Sequence, residues 1–346
     1  MQKPTIRAAI VGASGYSGQE LLRLLLPHPN VQIVSITSRQ FAGKPLAEAF
    51  PAFASLPSSQ ITFSQPEIQA LLNSDADVFF LALPHGAAAE FALPLFQNSR
   101  KVIDLSADFR IRNPESYLEF YGHPHPAPEL LPHATYGLPE IYYSQIQKSS
   151  LIASPGCYPT SILLALIPLI KNKLILPKPI FVSSSSGTSG AGKKADESLL
   201  FSEIYGSVRS YSIPKHRHLA EIEQELTLAA GIETRITFVP HLVPINRGIH
   251  TTIFTQPSSP SLKEEDFFDA LKNAYKNSPF IRIRHTLPDT KFVANSNFCD
   301  ISLRLDTRTN SLILLSSLDN LTKGAAGQAI QSMNILFALP QSTGFF

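Results

Sequence analysis

The 346-residue chain has no tryptophan, two methionines and two cysteines. The cysteines, Cys157 and Cys299, stand too far apart in the sequence to read as a disulfide framework, which points to a reducing compartment. Long hydrophobic runs are also missing. The longest, ILLALIPLI (162–170), is interrupted by Pro168 and is far too short for a membrane span. Charge is sparse: 16% of residues are charged, the formal net charge is +2, and the basic residues are scattered, which argues against a nucleic-acid partner. No Cys/His group has zinc-like spacing beyond an isolated HxHxxE at His216, His218 and Glu221, so no metal is expected. There is no internal repeat. The opening MQKPTIRAAIVGASG runs directly into a strand pattern and leaves no room for a signal peptide, so a cytoplasmic protein is expected.

What is present is a core-forming composition, 44% apolar, on a chain long enough for two domains. IRAAIVG (6–12) reads as a buried strand, GASGYSGQELLRLLL as the start of a helix that stops before Pro27, and VQIVSIT (31–37) as a second strand. That is a βαβ unit, which closes right-handed with parallel strands. The rhythm repeats: EIQALLNS (67–74) and AAAEFALPLFQN (87–98) read as helices, ADVFFLALPHG (76–86) and KVIDLS (101–106) as strands. The expected fold is α/β, a Rossmann-type doubly wound parallel sheet. Residues 110–145, rich in Pro, Tyr and His, are expected to form an irregular connection.

Beyond Cys157 the pattern changes. Helices are expected at SILLALIPLIKN, at 218–231 with Gly231 closing it, and at EEDFFDALKNAYKN. PIFVSSSS (179–186), TRITFVPHLVPI, GIHTTIFTQ, CDISLRLDT and SLILLSSLDN read as strands, several without a helix between them. An α+β catalytic domain with a mixed sheet follows. The boundaries expected are 1–154 for a cofactor domain, completed by a C-terminal helix within 323–346, and 155–322 for the second domain.

Gly12, Gly15 and Gly18 form GxxGxxG between a strand and a helix. This varies the GxGxxG dinucleotide fingerprint but keeps its physics, a tight turn that brings backbone N–H groups and a helix N-terminus to a pyrophosphate. The loop includes Ser14, Tyr16 and Ser17. The second strand ends in SITSRQ, where Ser38 and Arg39, with Lys44 nearby, replace the acid that would bond a ribose 2′-OH. Arg and Ser can hold a 2′-phosphate that a carboxylate would repel, so NADP is the expected cofactor. Pro84, His85 and Gly86 end a buried strand and should line the same cleft.

Cys157 stands in ASPGCYPTS, at the start of a helix. Pro159 suits a first turn, and a helix N-terminus favours a thiolate. Cys299 lies in an alternating strand and reads as core. A nucleophilic cysteine needs a base, and KHRHLAEI offers His216 or His218, with Glu221 to orient an imidazole. The sequence does not separate the two histidines. GTSGAGKK (187–194) nearly matches a P-loop but has Lys194 where a magnesium-binding hydroxyl belongs. A nucleotide triphosphatase, a serine-rich linker and a non-catalytic NADP sensor are the competing readings.

GASGYSG, FLALPHG, VIDLSADFR, YGLPE, ASPGCYPTS, SGTSGAGKK, HRHLAEI, PHLVPINRGI, NSNFCDI and DNLTKGAAGQAIQSMN occur in this order along nearly the whole chain. In them the sequence resembles the N-acetyl-gamma-glutamyl-phosphate reductases, arginine-pathway relatives of aspartate-semialdehyde dehydrogenase. Ser161 departs from the family, which usually has Gly or Ala there. The resemblance implies an NADP-dependent acyl-phosphate reductase and a homo-oligomer, dimer or tetramer. It implies Cys157 as nucleophile and the His218 region as acid/base. It recasts GTSGAGKK, with Ser189 and Gly190, as a loop beside the cofactor, and sets Asn320 and Lys323 near the nicotinamide. Arg110, Arg217 and Arg247 are the candidate holders of substrate phosphate and carboxylate. Related reductases of a carrier-linked aminoadipyl phosphate or of aspartyl phosphate share many of these motifs.

Overall fold

The computed structural model describes residues 5–56 and 59–345. Residues 1–4, which open the N-terminal stretch read above and the first expected domain, lie outside the described residues, as do 57–58 and Phe346. The chain divides into two compact units, one made of residues 1–115, 123–155 and 325–346, the other of 116–122 and 156–324. No described helix is long and apolar enough to cross a membrane.

The first unit holds strands β1 (Ile6–Val11), β2 (Val31–Thr37), β3 (Phe63–Ser64), β4 (Val78–Leu81), β5 (Lys101–Asp104), β6 (Ala134–Tyr136) and β7 (Leu151–Ala153). They form one sheet in the order β3-β2-β1-β4-β5-β7-β6, and every pair is parallel. Alternation along the strands sorts the core into two layers. Ala8, Ile10, Phe80 and Ile103 pack on one face with Leu21 and Leu25 of the helix Tyr16–Leu25 and with Ala329 and Met333 of the helix Gly327–Leu336. Ala9, Val11, Phe79 and Val102 pack on the other with Phe91 and Leu95 of the helix Ala88–Gln97. The strand order reverses between β1 and β4, so the loops leaving these strands meet at the switch point where doubly wound sheets bind ligands.

The second unit holds β8 (Phe181–Ser186), β9 (Arg209–Ser210), β10 (Thr237–Leu242), β11 (Ile249–Thr255), β12 (Ile281–Ile283), β13 (Cys299–Asp306) and β14 (Ser311–Leu318). Their order is β12-β13-β14-β11-β8-β10-β9. The sheet is mixed: β8/β10 and β12/β13 run parallel, the other pairs antiparallel. The helix Cys157–Lys171 packs on one face of it and beside the helix His218–Ala230. Gly231 ends the latter with φ +70°, as a left-handed cap should.

Two expectations are corrected. The 110–145 segment is not irregular: it contains the helices Pro114–Tyr121 and Pro139–Ile146, the strand β6 and a 3-10 segment Pro128–His133. Each is too short to show a period. The helix expected over SILLALIPLIKN runs through Pro168 to Lys171. A proline there removes the N–H that would bond the carbonyl of Leu164. The buried Tyr275 hydroxyl donates to that carbonyl instead, at 2.6 Å. The last helix also begins differently, as a π-turn Thr322–Ala326 before Gly327–Leu336.

Candidate active site

The loop after β1 is shaped by its glycines. Gly12 has φ +87°, and a Cβ there would lie 2.5 Å from the Ala82 carbonyl oxygen, where β4 ends. At Gly18 a Cβ would meet the Gly12 oxygen at 2.5 Å, so helix and loop touch backbone to backbone. Gly15 differs: the nearest atom to its missing Cβ is 3.8 Å away. Protein packing therefore does not demand glycine at that position, whereas a ligand backing onto the loop would. Gly15 caps the helix Tyr16–Leu25, which has no side-chain cap and no acid in its first turn. That terminus suits an anion. Tyr16 and Ser17 open the helix, and Ser14 Oγ accepts from the Ser38 hydroxyl at 2.9 Å. Ser38 is buried, Arg39 beside it is exposed, and Lys44 pairs with Glu48 at 3.4 Å. This donor set fits a dinucleotide.

Pro84, His85 and Gly86 form the turn after β4. The Asp108 carboxylate fixes it by accepting the N–H groups of Gly86 (2.7 Å), Ala88 (3.1 Å) and Ala89 (3.2 Å). His85 Nδ1 accepts from Ala107 N–H at 3.2 Å. In the same unit Arg110 is buried, donating from Nε to the Ser154 carbonyl (2.6 Å) and from Nη2 to that of Leu105 (2.9 Å).

In the second unit Cys157 is the first residue of its helix and is partly exposed. Gly156 caps the helix, which has no side-chain cap and no acid in its first turn. The stretch around it is held from three sides. A Cβ on Gly156 would lie 2.5 Å from His218 Nε2, so only glycine lets the imidazole come this close. The Gly156 N–H donates to Glu221 Oε1 at 2.8 Å. Across from it, a Cβ on Gly324 would lie 2.7 Å from Cys157 Cβ. Glycine before the cysteine is thus an approach surface for a histidine. The sequence does not single out Gly324; it is one of two glycines, with Gly327, inside the helical pattern KGAAGQAI.

The two histidines separate by environment. His218 lies against Gly156, while His216 is enclosed by the rings of Tyr158, Tyr211 and Phe238, with centroids 5.5–5.6 Å away. Burial, with Arg217 nearby, pushes His216 down to about 4. It is neutral at physiological pH, and its Nδ1 accepts the His218 N–H at 3.1 Å. Burial also pushes Tyr211 up to about 12 and Tyr158 still higher, so both phenols keep their protons; Tyr211 donates to Tyr158 at 3.0 Å.

Ser161, one turn into the helix, donates to the Tyr158 carbonyl at 2.9 Å and pairs with Thr251 of β11 at 2.8 Å. Thr251 pairs in turn with Ser184 of β8 at 2.8 Å. The side chain that departs from the family pattern is therefore part of a buried hydroxyl chain joining the cysteine's helix to the sheet. Ser189 and Gly190 lie in a 3-10 turn, Thr188–Ala191, rather than at the head of an α-helix. A Cβ on Gly187 would lie 2.6 Å from the Asn246 oxygen, so the turn backs onto protein backbone, and with a 3-10 turn in place of a helix head the P-loop reading fails. Asn320 bonds Ser189 Oγ (2.9 Å) and the Gly248 N–H (2.7 Å). Lys323 is fully buried, 5.9 Å from the Phe280 ring centroid. Arg217 is exposed, 5.9 Å from the Tyr121 ring. Arg247 is mostly buried and bonds Asp319, Asn295 and Thr322.

Residues 7–149 match the semialdehyde dehydrogenase NAD-binding domain, and residues 157–320 match the semialdehyde dehydrogenase dimerisation domain. The chain is 48% identical over 343 residues to the N-acetyl-gamma-glutamyl-phosphate reductase of Akkermansia muciniphila, covering 99% of each. Among solved structures, aspartate semialdehyde dehydrogenase II of Vibrio cholerae, complexed with ASA, superposes with a TM-score of 0.72 at 17% identity, over 97% of this chain and 99% of that one. Aspartate semialdehyde dehydrogenase of Candida albicans with NADP gives 0.68 at 18%, over 96% and 99%. A parallel sheet with a glycine loop at its switch point, a mixed second sheet, and a cysteine at a helix start preceded by a glycine that a histidine approaches are thus combined in a chain that belongs to the N-acetyl-gamma-glutamyl-phosphate reductases, within the semialdehyde dehydrogenase family.

Proposed function

We propose that the protein reduces N-acetyl-glutamyl 5-phosphate to N-acetyl-glutamate 5-semialdehyde with release of phosphate, using NADPH, in arginine biosynthesis. The observation that carries this reading is the approach of the His218 imidazole to the backbone just before Cys157. Cys157 is the nucleophile. Its thiolate, favoured at the uncapped helix start, attacks the acyl carbon, and the acyl–oxygen bond breaks as phosphate departs. Thiol chemistry suits this task because a thioester accepts hydride where an ionised carboxylate does not. When bound, NADPH supplies that hydride. Main-chain N–H groups at the helix start stabilise the resulting oxyanion on the Cys157 adduct. His218 takes the thiol proton, lends it to this oxyanion and recovers it as the aldehyde leaves and the thiolate returns. Glu221 fixes the Gly156–Cys157 backbone against the helix that carries His218. His216 supports the His218 main chain.

Gly12, Ser14, Gly15, Tyr16, Ser17 and Gly18 hold the pyrophosphate, and Ser38 and Arg39 the 2′-phosphate. Pro84, His85 and Gly86 complete that face. The structural neighbour from Candida albicans, with NADP, accords with this choice. Arg217, exposed, is the readiest of the three arginines to meet a substrate anion. The protein works as a homo-oligomer, dimer or tetramer, and the outward face of its mixed sheet is the surface that supports this. There Phe181, Phe254 and Ile313 form a cross-strand row, with the two phenylalanines 49% and 42% exposed.

The reverse reaction tests this. Protein, NADP⁺ and phosphate are mixed with N-acetyl-glutamate semialdehyde or aspartate semialdehyde, and nicotinamide reduction is followed by absorbance. Phosphate-dependent reduction with the N-acetylated aldehyde, lost in Cys157→Ser while NADPH still binds, is expected. Reduction with only the aspartate aldehyde would keep the chemistry and change the substrate. Silence with both would overturn the reading.

A further inference from the structure

The mechanism leaves unused a fully buried carboxylate, Asp319. It lies at the end of β14, just before the π-turn that carries Gly324. Four hydrogen-bond donors and one ion-pair contact converge on it. Oδ1 accepts Arg247 Nη2 and the N–H groups of Leu321 and Thr322, each at 2.9 Å. Oδ2 accepts the Asn295 N–H at 2.7 Å and forms an ion pair with the Arg247 guanidinium, whose Nε is 2.9 Å away. Arg247 spends its other contacts on the same cluster, reaching Thr322 Oγ1 and Asn295 Oδ1 at 2.9 Å. The Asp319 carbonyl accepts the Gly324 N–H at 2.9 Å, and Gly324 is the residue pressed against Cys157.

We infer that Asp319 is a positioning residue for Cys157, acting through the 320–324 turn, and that Arg247 is its fixed counter-ion rather than a holder of substrate. This rests on the reading of Cys157 as nucleophile. The physical case is one of convergence. A carboxylate with no solvent exposure, four hydrogen-bond donors and an arginine counter-ion has a single low-energy placement, and it fixes the first turn of the segment after β14. That segment then has little freedom to move off Cys157. The same placement directs Asn320 to Ser189 and Gly248. Arg247, with Nη1 and Nη2 hydrogen-bonded inside the cluster, Nε 2.9 Å from the Asp319 carboxylate and only 16% of its side chain exposed, has little left to offer an incoming anion.

The test is alkylation of the full chain by iodoacetamide, without substrate or cofactor, at several pH values and read by mass spectrometry at each cysteine. Buried Cys299 is the internal reference. Asp319→Asn keeps the shape and removes the charge. It should slow Cys157 alkylation or shift its pH profile by about tenfold or more, and lower kcat by a similar factor while KM for the acyl phosphate moves little. Gly324→Ala, which presses a methyl group on Cys157 without touching the charge cluster, should do the same, and it decides the matter if Asp319→Asn does not fold. Arg247→Lys should also lower kcat and alkylation. Wild-type alkylation in a folded Asp319→Asn or Gly324→Ala protein would overturn the inference, as would an Arg247→Lys variant that raises KM alone. Because alkylation needs no substrate, a wild-type protein inactive in the reductase assay would count against the proposed function without touching this result.

Discussion

The His218 imidazole rests on the Cα of Gly156, so closely that a Cβ there would fall 2.5 Å from Nε2. Gly156→Ala is therefore expected to push the imidazole away from Gly156 and the start of the cysteine's helix. Turnover should fall about a hundredfold, the scale of an ångström-sized misplacement, while NADPH affinity stays at its wild-type value. Steady-state kinetics beside a fluorescence titration of NADPH would check this. Unchanged turnover would remove His218 from the proton-transfer role.

His216 gives a prediction about acid. Its folded value is about 4, below the ordinary 6.5, so the folded protein disfavours the proton that the unfolded chain accepts. The associated stability is fully present above about pH 6.5 and is lost as pH falls from there towards about 4. About 2.5 units at 1.36 kcal/mol each make this about 3 kcal/mol at most. Urea denaturation across that range should show the loss, and His216→Asn, which keeps an acceptor for the His218 N–H but cannot charge, should lose less.

Arg39 is exposed beside the buried Ser38 at the end of β2. Arg39→Glu should weaken NADPH at least about tenfold more than NADH, since only the former brings a 2′-phosphate to the reversed charge. Equal weakening of both, by calorimetry or fluorescence, would take Arg39 out of the phosphate site.

Much of this was legible before any coordinates. The strands of the parallel sheet are buried on both faces and so appear as unbroken apolar runs such as IVG and VFFLAL. The glycine loop and Cys157 are marked by their punctuation. Contacts made across the chain were not legible. Nothing in KHRHLAEI tells which histidine an aromatic cage will enclose, because Tyr158, Tyr211 and Phe238 come from three separate segments. Gly324 meeting Cys157 and Asp319 gathering donors from 247 and 295 are equally non-local. The short elements within 110–145 escaped for a different reason: a helix of two turns carries too few residues to declare its period.

The phenol of Tyr275, bonded to the Leu164 carbonyl across from Pro168, makes two distant positions interdependent. Tyr275→Phe alone strands a buried carbonyl and should cost about 1–3 kcal/mol. Pro168→Ala restores the main-chain N–H, and in that background Tyr275→Phe should cost far less. A double-mutant cycle by chemical denaturation would then give a coupling of about 1 kcal/mol or more, where independent sites would add. The order of substitution therefore matters: a chain that first loses its proline can give up the tyrosine cheaply, and one that loses the tyrosine first cannot.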